Sequence, residues 1–491
     1  MPIKHGIYVS EDTTVMPNTR TGQDAIVVIG SAPIYQMDNF EDLLNNPILC
    51  RSSAEAKETF GYNPDFQKFT LCQMMWITEN LFPISPVVYI AVPNVLAPTY
   101  APKTASINNP VPETYTFSDL YVIKSKTTFK QGSTDLVENR DYTIEYNEAG
   151  NMIVTFITGT GSSFDASANV AISYCVQDVN TTDAAIIGEY NSQTGVAKGA
   201  ELIQFVYPRL GVVPTILCAP KYSKSSAVGA ALYAKAANIN GVFKAFAVLD
   251  LESTTTRTYT GVSAAKETAG YTSPYCYPVW PCVKVSGSDS IMNLSAIAAA
   301  LMAYTDANND GVPSRSPSNR IVGRGGSGVV ATCLEDGTEI VLTQDQATTV
   351  NSYGVNTALN MNGWRLFGSY TGAYPYSSEV KDVWAPVRRM FNWQGNNFIQ
   401  IYFDKVDDPL NAVLIESIVD AENVRCAAFA PDHWAGAEIN YYATDNPTAN
   451  LLAGKIIFRQ RIAPYTPAQE IDNILSYDVT MLTEVMNTIT A

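Results

Sequence analysis

Histidine is almost missing from this chain: 491 residues contain two, His5 and His433. A Ser-His-Asp hydrolase would have to use one of them, and no GxSxG nucleophile motif accompanies either. Eight cysteines are present, yet none form a CxxC pair and no histidine stands at ligand spacing from them, which argues against a zinc site. Positive charge is also scarce, with 31 Lys+Arg against 47 Asp+Glu and a net charge of −16. Phosphate backbones need a basic footprint, so nucleic acid is not expected as a direct partner. The longest apolar runs, 25–34 and 296–304, fall short of the ~18 residues of a membrane span. The opening MPIKHGIYVSEDTT has no apolar run behind its basic residues and does not read as a secretory signal. These absences lead to an expectation of cytosolic synthesis without membrane insertion.

What remains is a globular composition, 46% hydrophobic, long enough for two to four domains. Most cysteines sit in apolar settings such as PTILCAP and AISYCV, where a thiol behaves as a small hydrophobe. They are expected to be reduced, with Cys276 and Cys282 of YCYPVWPC the first candidates for an exception. DAIVVIGSAPI reads as a buried strand behind an extended N-terminal arm. Residues 111–179 are β-rich, with a hairpin turn at 148–151, and are expected to form a small inserted β-domain between linker-like flanks. From 183 to 350 strands alternate with helices: VVPTILCAP, then a helix with Val228, Leu232 and Ile239 on one face and Ser225 or Ser226 as N-cap. Next come GVFKAFAVLDL and a helix presenting Leu294, Ile297 and Leu301 inward. Short connections between such units imply a parallel α/β sheet. In EVKDVWAPVRRMFNW, Pro386 is expected to open a helix rather than interrupt one. The next helix should face inward through Leu410, Val413, Leu414 and Ile418. The tail reads as a short helix followed by an extended, β-prone end.

Several stretches carry a suggestion of chemistry. DANNDG at 306–311 has oxygen ligands at the first, third and fifth positions of a calcium loop and glycine at the sixth. The bidentate Glu that an EF-hand requires at position twelve is replaced by Pro317. GRGGSG at 323–328 lacks the Lys-Ser/Thr of a P-loop and reads as a turn. His433 has no serine motif to serve and is expected to be structural or at the surface. No catalytic, cofactor or metal residue is therefore assigned. Exposed strand-forming arms, however, can add to the sheet edge of a neighbour, which is the logic of a polymer subunit.

Several segments taken in order resemble a family: GIYVSE…DAIVVIGSAPI, NNPILCRSSAEAKETFG, GVVPTILCAPKYSKSSAVGAALYAKAANINGVFKAFAVLD, YGVNTALNMNGWRLFGSYT and NPTANLLAGKIIFRQRIAPYTPAQEI. Together they are similar to the contractile tail sheath proteins of bacteriophages and related contractile injection systems. DANNDGVPSRSPSN then corresponds to the family's connector between a helix and the next strand, which removes the reason to keep a metal. One departure is Tyr370, where the family often has Arg before the Thr that stands here as Thr371. The resemblance implies a multidomain α/β fold with a subtilisin-like core lacking protease activity, an inserted small β-domain facing outward, a C-terminal α+β domain facing the tube, and N- and C-terminal arms. The implied division is 1–21, 22–110, 111–179, 183–350, 351–474 and 475–491. It further implies stacked hexameric rings around an inner tail tube, partners in the baseplate and tail terminator, no cofactor, and a place in a virion tail or similar particle. Candidate inter-subunit arm residues are Ile3, Ile7, Val9, Tyr477, Val479 and Met481. Arg388 and Arg389 are either interface charges or partners of acidic residues in their own subunit. The alternatives are a non-contractile capsid or surface-layer subunit and a subtilisin-fold hydrolase.

Overall fold

The computed structural model describes residues 23–287, 290–324 and 327–489. The runs that read as buried strands line up in one six-stranded sheet, in the order Cys276–Val279, Phe246–Asp250, Val212–Cys218, Gln23–Gly30, Val87–Ala91 and Pro47–Cys50. The first five are parallel, and Pro47–Cys50 joins the edge antiparallel. Parallel strands covered on both faces need continuous apolar sequence, and residues 25–30 are all buried. Alternate side chains go to opposite faces. Ile26 and Val28 enter one core with helices Leu71–Asn80 and Leu294–Ala307, while Val27 and Ile29 enter the other with helix Ser226–Ala237.

Val228 and Leu232 are buried as their spacing predicts, but the helix ends at Ala237 and Ile239 packs from the turn beyond it. Ser225 stands at the N-cap position, yet its hydroxyl donates to Asp183 Oδ2 at 2.5 Å instead of capping. Helix Leu294–Ala307 buries more than the expected face of Leu294, Ile297 and Leu301. Ala296, Ala298, Ala299 and Ala300 are buried too, because the helix is sandwiched between the sheet and helix Leu71–Asn80.

Two small sheets occupy the β-rich stretch. One joins Lys103–Ile107, Val170–Tyr174, Thr128–Gln131 and Thr134–Asp135, and the other joins Thr114–Leu120, Asn151–Phe156 and Tyr142–Tyr146. They share a core that includes Phe117, Phe129, Met152, Val154 and Phe156. Lys103–Ile107, read as linker from its polar sequence, is a strand because it pairs along its whole length with Val170–Tyr174.

Pro386 lies in the first turn of helix Ala385–Tyr402, as its missing N–H requires. That helix is fastened to the chain entering strand Phe246–Asp250. Asn392 Nδ2 donates to Ala245 O at 2.9 Å, Asn396 Nδ2 to Lys244 O at 2.8 Å, and Lys244 N to Asn396 Oδ1 at 2.9 Å. Helix Ala412–Ala428 follows, then a two-stranded antiparallel sheet of Trp434–Tyr441 and Phe458–Pro464.

Two expectations are corrected in this region. Leu410 lies outside the helix, and Val413 is 72% exposed. The Asn411 side chain caps the helix by accepting from Leu414 N at 2.8 Å, and the register this sets turns Leu414 and Ile418 inward and Val413 away. The tail is also reversed from its reading. Residues 465–478 have no regular structure, and Val479–Ile489 is a helix rather than an extended end. Asp478 Oδ1 accepts from Thr480 N at 2.8 Å and Met481 N at 3.4 Å, so a local cap and the helix-forming Met, Leu and Glu outweigh the β-branched residues.

Candidate assembly surface

Open parallel α/β sheets bind ligands outside the carboxyl ends of the strands, where the winding reverses. Here that point lies between Gln23–Gly30 and Val212–Cys218, since the chain first winds to Val87–Ala91 on one side and then returns to the other. The crevice is filled by the protein itself. Ser31 Oγ donates to Lys68 O at 2.5 Å and accepts from Tyr222 Oη at 3.2 Å, while Lys221 Nζ donates to Gln67 O at 2.6 Å. A Cβ on Gly30 would stand 2.1 Å from Thr70 Oγ1, so only glycine admits this segment. Nearby Asp250 is buried and accepts from Ser295 N at 3.0 Å, Ser295 Oγ at 2.6 Å and Ser223 Oγ at 3.2 Å. Burial pushes its carboxyl up to about 6, opposed by these hydrogen bonds. It is a strut between a strand end and the start of helix Leu294–Ala307.

The DANNDG turn closes that same helix. Asp306, its first carboxylate, is bound in bidentate fashion by Arg389, with Nη1 3.2 Å from Oδ1 and Nη2 on Oδ2. Burial raises the Asp306 carboxyl above its ordinary range, and Arg389 opposes the shift. Asp310 and Gly311 take φ of 58° and 72°, the left-handed conformation that ends a helix. Among the described residues no group of three or more His, Cys, Asp or Glu could hold a metal.

His433 is buried rather than at the surface, and it belongs to this turn. Its Nδ1 lies 3.0 Å from Ser314 Oγ, and its Nε2 lies 3.6 Å from Asp310 Oδ2. The three residue types are those of a hydrolase triad, brought together from positions 310, 314 and 433. The geometry is that of a lock. Asn309 Nδ2 already donates to Ser314 Oγ at 2.9 Å, and the adjoining cavity of about 470 Å³ is walled by Asp310, Gly311 and Phe429 but by neither Ser314 nor His433. A nucleophile must face the space its substrate would fill.

Arg388 and Arg389 are 7% and 5% exposed. Arg388 pairs with Asp382 and lies 5.0 Å from the centre of the Tyr275 ring, so both arginines are engaged inside the chain.

Exposed apolar surface concentrates in the tail. Ile471, Ile474, Leu475 and Tyr477 are 78–88% exposed, and Val479, Met481, Leu482, Val485 and Met486 follow on the terminal helix at 49–67%. Single exposed apolar residues are ordinary, whereas a contiguous run of this kind marks an interaction surface. Of the candidate arm residues, Tyr477, Val479 and Met481 lie in this run, and Ile3, Ile7 and Val9 lie outside the described residues. The C-terminal sheet is a second open feature. Among the described residues each of its strands pairs only with the other, leaving two outer edges, and Arg459 and Arg461 stand on its exposed face.

No protein-family model matches the sequence, and no curated protein matches it. Solved structures do. The fold is similar to the sheath complex of PVC, an extracellular contractile injection system, in its contracted state, with a TM-score of 0.57 at 13% identity over 98% of this chain and 99% of that one. It is similar also to the helical sheath of the anti-feeding prophage in its contracted state, with a TM-score of 0.56 at 15% identity over 96% and 99%. Over nearly its whole length, the chain has the fold of contractile sheath proteins.

Proposed function

We propose that this protein is the structural subunit of a contractile sheath, without enzymatic activity or cofactor. It polymerises as stacked hexameric rings around an inner tail tube, and contraction drives the tube through a target envelope. The observation that carries this reading is the similarity of fold over nearly the full length of both sheath chains. The filled switch-point crevice supports a role in packing over one in catalysis. The subtilisin-like winding of the core, the outward placement of the β-rich part and the tube-facing placement of the C-terminal part belong to this proposal. So do an inner tube protein, a baseplate and a tail terminator as partners, and a site of action in a virion tail or related particle.

The exposed tail and open sheet edges supply the linkage between copies. Apolar burial contributes about 25 cal/mol per Å². A gain of ~100 Å² per subunit on contraction would thus release roughly 2–3 kcal/mol, multiplied over the whole polymer. Energy stored in packing needs no nucleotide. Electron microscopy of the assembled protein tests the reading. Hollow tubes of six-fold stacked rings that become wider and shorter on triggering are expected. Flat sheets or closed shells would overturn it in favour of a surface-layer or capsid subunit.

A further inference from the structure

All eight cysteines are buried free thiols, and two of them face each other. Strand Cys282–Val285 pairs antiparallel with Ser327–Cys333, and in that register Cys282 stands directly opposite Cys333. Directly opposed residues in an antiparallel pair point to the same face with Cβ atoms ~4.5–5.5 Å apart. A disulfide needs Cα atoms ~4.4–6.8 Å apart and Cβ atoms ~3.5–4.5 Å apart, so the strands need close by only about 1 Å. The pair is placed where such closure is easiest, since Cys282 begins its strand and Cys333 ends the other. Ser253 Oγ and Asn293 Nδ2 each lie 3.9 Å from Cys282 Sγ, so no strong hydrogen bond holds the sulfur away from its neighbour. Cys276, the other thiol of YCYPVWPC, is committed elsewhere, with Sγ 3.3 Å from Ser273 O.

We propose that Cys282 and Cys333 form an oxidation site at which a peroxide converts two thiols into a cross-strand disulfide. The balance is two thiols plus hydrogen peroxide giving one disulfide and two waters. A Cys333 thiolate attacks the peroxide O–O bond. Hydroxide leaves and takes up the thiol's proton as water, and Cys333 becomes a sulfenic acid. The Cys282 sulfur then attacks the Cys333 sulfur, and its proton departs with the sulfenic hydroxyl as the second water. Cys333 acts first: burial pushes its thiol up to about 11, with Lys284 opposing and Glu339 and Asp336 adding to the shift, whereas burial together with Asp250, Glu335 and Cys333 itself holds the Cys282 thiol well above the usual range. The reaction is therefore slow at neutral pH and accelerates as pH rises. The product staples the strand leading into helix Leu294–Ala307 to a strand that follows the helix.

The test treats the purified full-length chain with hydrogen peroxide at pH 7 and pH 9, then denatures, alkylates the remaining thiols and maps non-reduced peptides by mass spectrometry. The expected result is a peptide linking Cys282 to Cys333, two fewer alkylated thiols, formation several-fold faster at pH 9, and a raised thermal midpoint that dithiothreitol reverses. Cys333→Ser should abolish the link. Because that variant could fail to fold, the wild-type peptide map decides alone. Eight alkylated thiols after oxidation, a link between other cysteines, or sulfinic acid at Cys333 with Cys282 still reduced would overturn the proposal.

Discussion

Helices Leu294–Ala307 and Val479–Ile489 are both apolar and neither carries Lys or Arg, yet one is buried on nearly every side while the nine exposed apolar residues of 471–486 run along the other and its lead-in. The difference lies in the partner. The first is covered by a parallel sheet and helix Leu71–Asn80 within its own chain, whereas the second keeps the apolar side chains of 479–486 at 49–67% exposure. An apolar helix that folding leaves uncovered is completed by association, and it is the feature on which the sheath proposal makes its sharpest demands.

The comparison breaks first at the inner helix. Asp306→Ala strands Arg389 without its carboxylate, and removing one partner of a buried pair costs about 3–5 kcal/mol. Denaturant unfolding should show that loss, and a change under 1 kcal/mol would mean that water solvates Arg389 through the neighbouring cavity. The next effect is that of pH on Asp250, at the start of the same helix. Its folded pKa of about 6 exceeds the ordinary carboxylate value, so the folded state holds the proton more tightly. Its stabilising contribution is full below about pH 4 and is lost as pH rises through 6, an amount on the order of 3 kcal/mol at 1.36 kcal/mol per unit. Relative to Asp250→Asn, wild-type unfolding free energy should fall between pH 4 and 6, and parallel curves would refute this. A milder probe is Ile297→Val, which should cost about 0.5–1.5 kcal/mol. The smallest effect on the monomer belongs to the tail. Met481→Glu, or deletion of 475–491, should change unfolding free energy by no more than about 0.5 kcal/mol. The deletion should nevertheless abolish polymerisation by light scattering and electron microscopy, and normal tubes from the truncated chain would contradict the arm reading.

What sequence could reveal followed from how local each cause was. AIVVIG and VVPTILC announce buried parallel strands because nearly every residue in them is apolar, Thr215 being the one polar exception and only half-buried. Pro386 announces a helix start because it can sit in few other places. The fate of DANNDG could be half read: the missing Glu argued against a calcium loop, but Arg389 as the partner of Asp306 lies 83 residues away and leaves no local trace. The same distance problem hid the contact of His433 with Ser314 and the pairing of Cys282 with Cys333, whose register is set by strands around them. Val413 was misjudged because a single cap at Asn411 fixes the helical phase, and periodicity alone does not supply that phase. The tail was misjudged because its β-branched residues were weighed without the cap at Asp478.

The hydrogen bonds from the Asn392 and Asn396 side chains to the carbonyls of Ala245 and Lys244, together with the clasp of Arg389 on Asp306, rivet helix Ala385–Tyr402 at three points, two on the chain entering strand Phe246–Asp250 and one on helix Leu294–Ala307. The helix is thus a beam with no hinge beneath it. On the sheath proposal, a pull on the C-terminal sheet would reach the parallel core as rotation of a single body rather than as bending of the subunit.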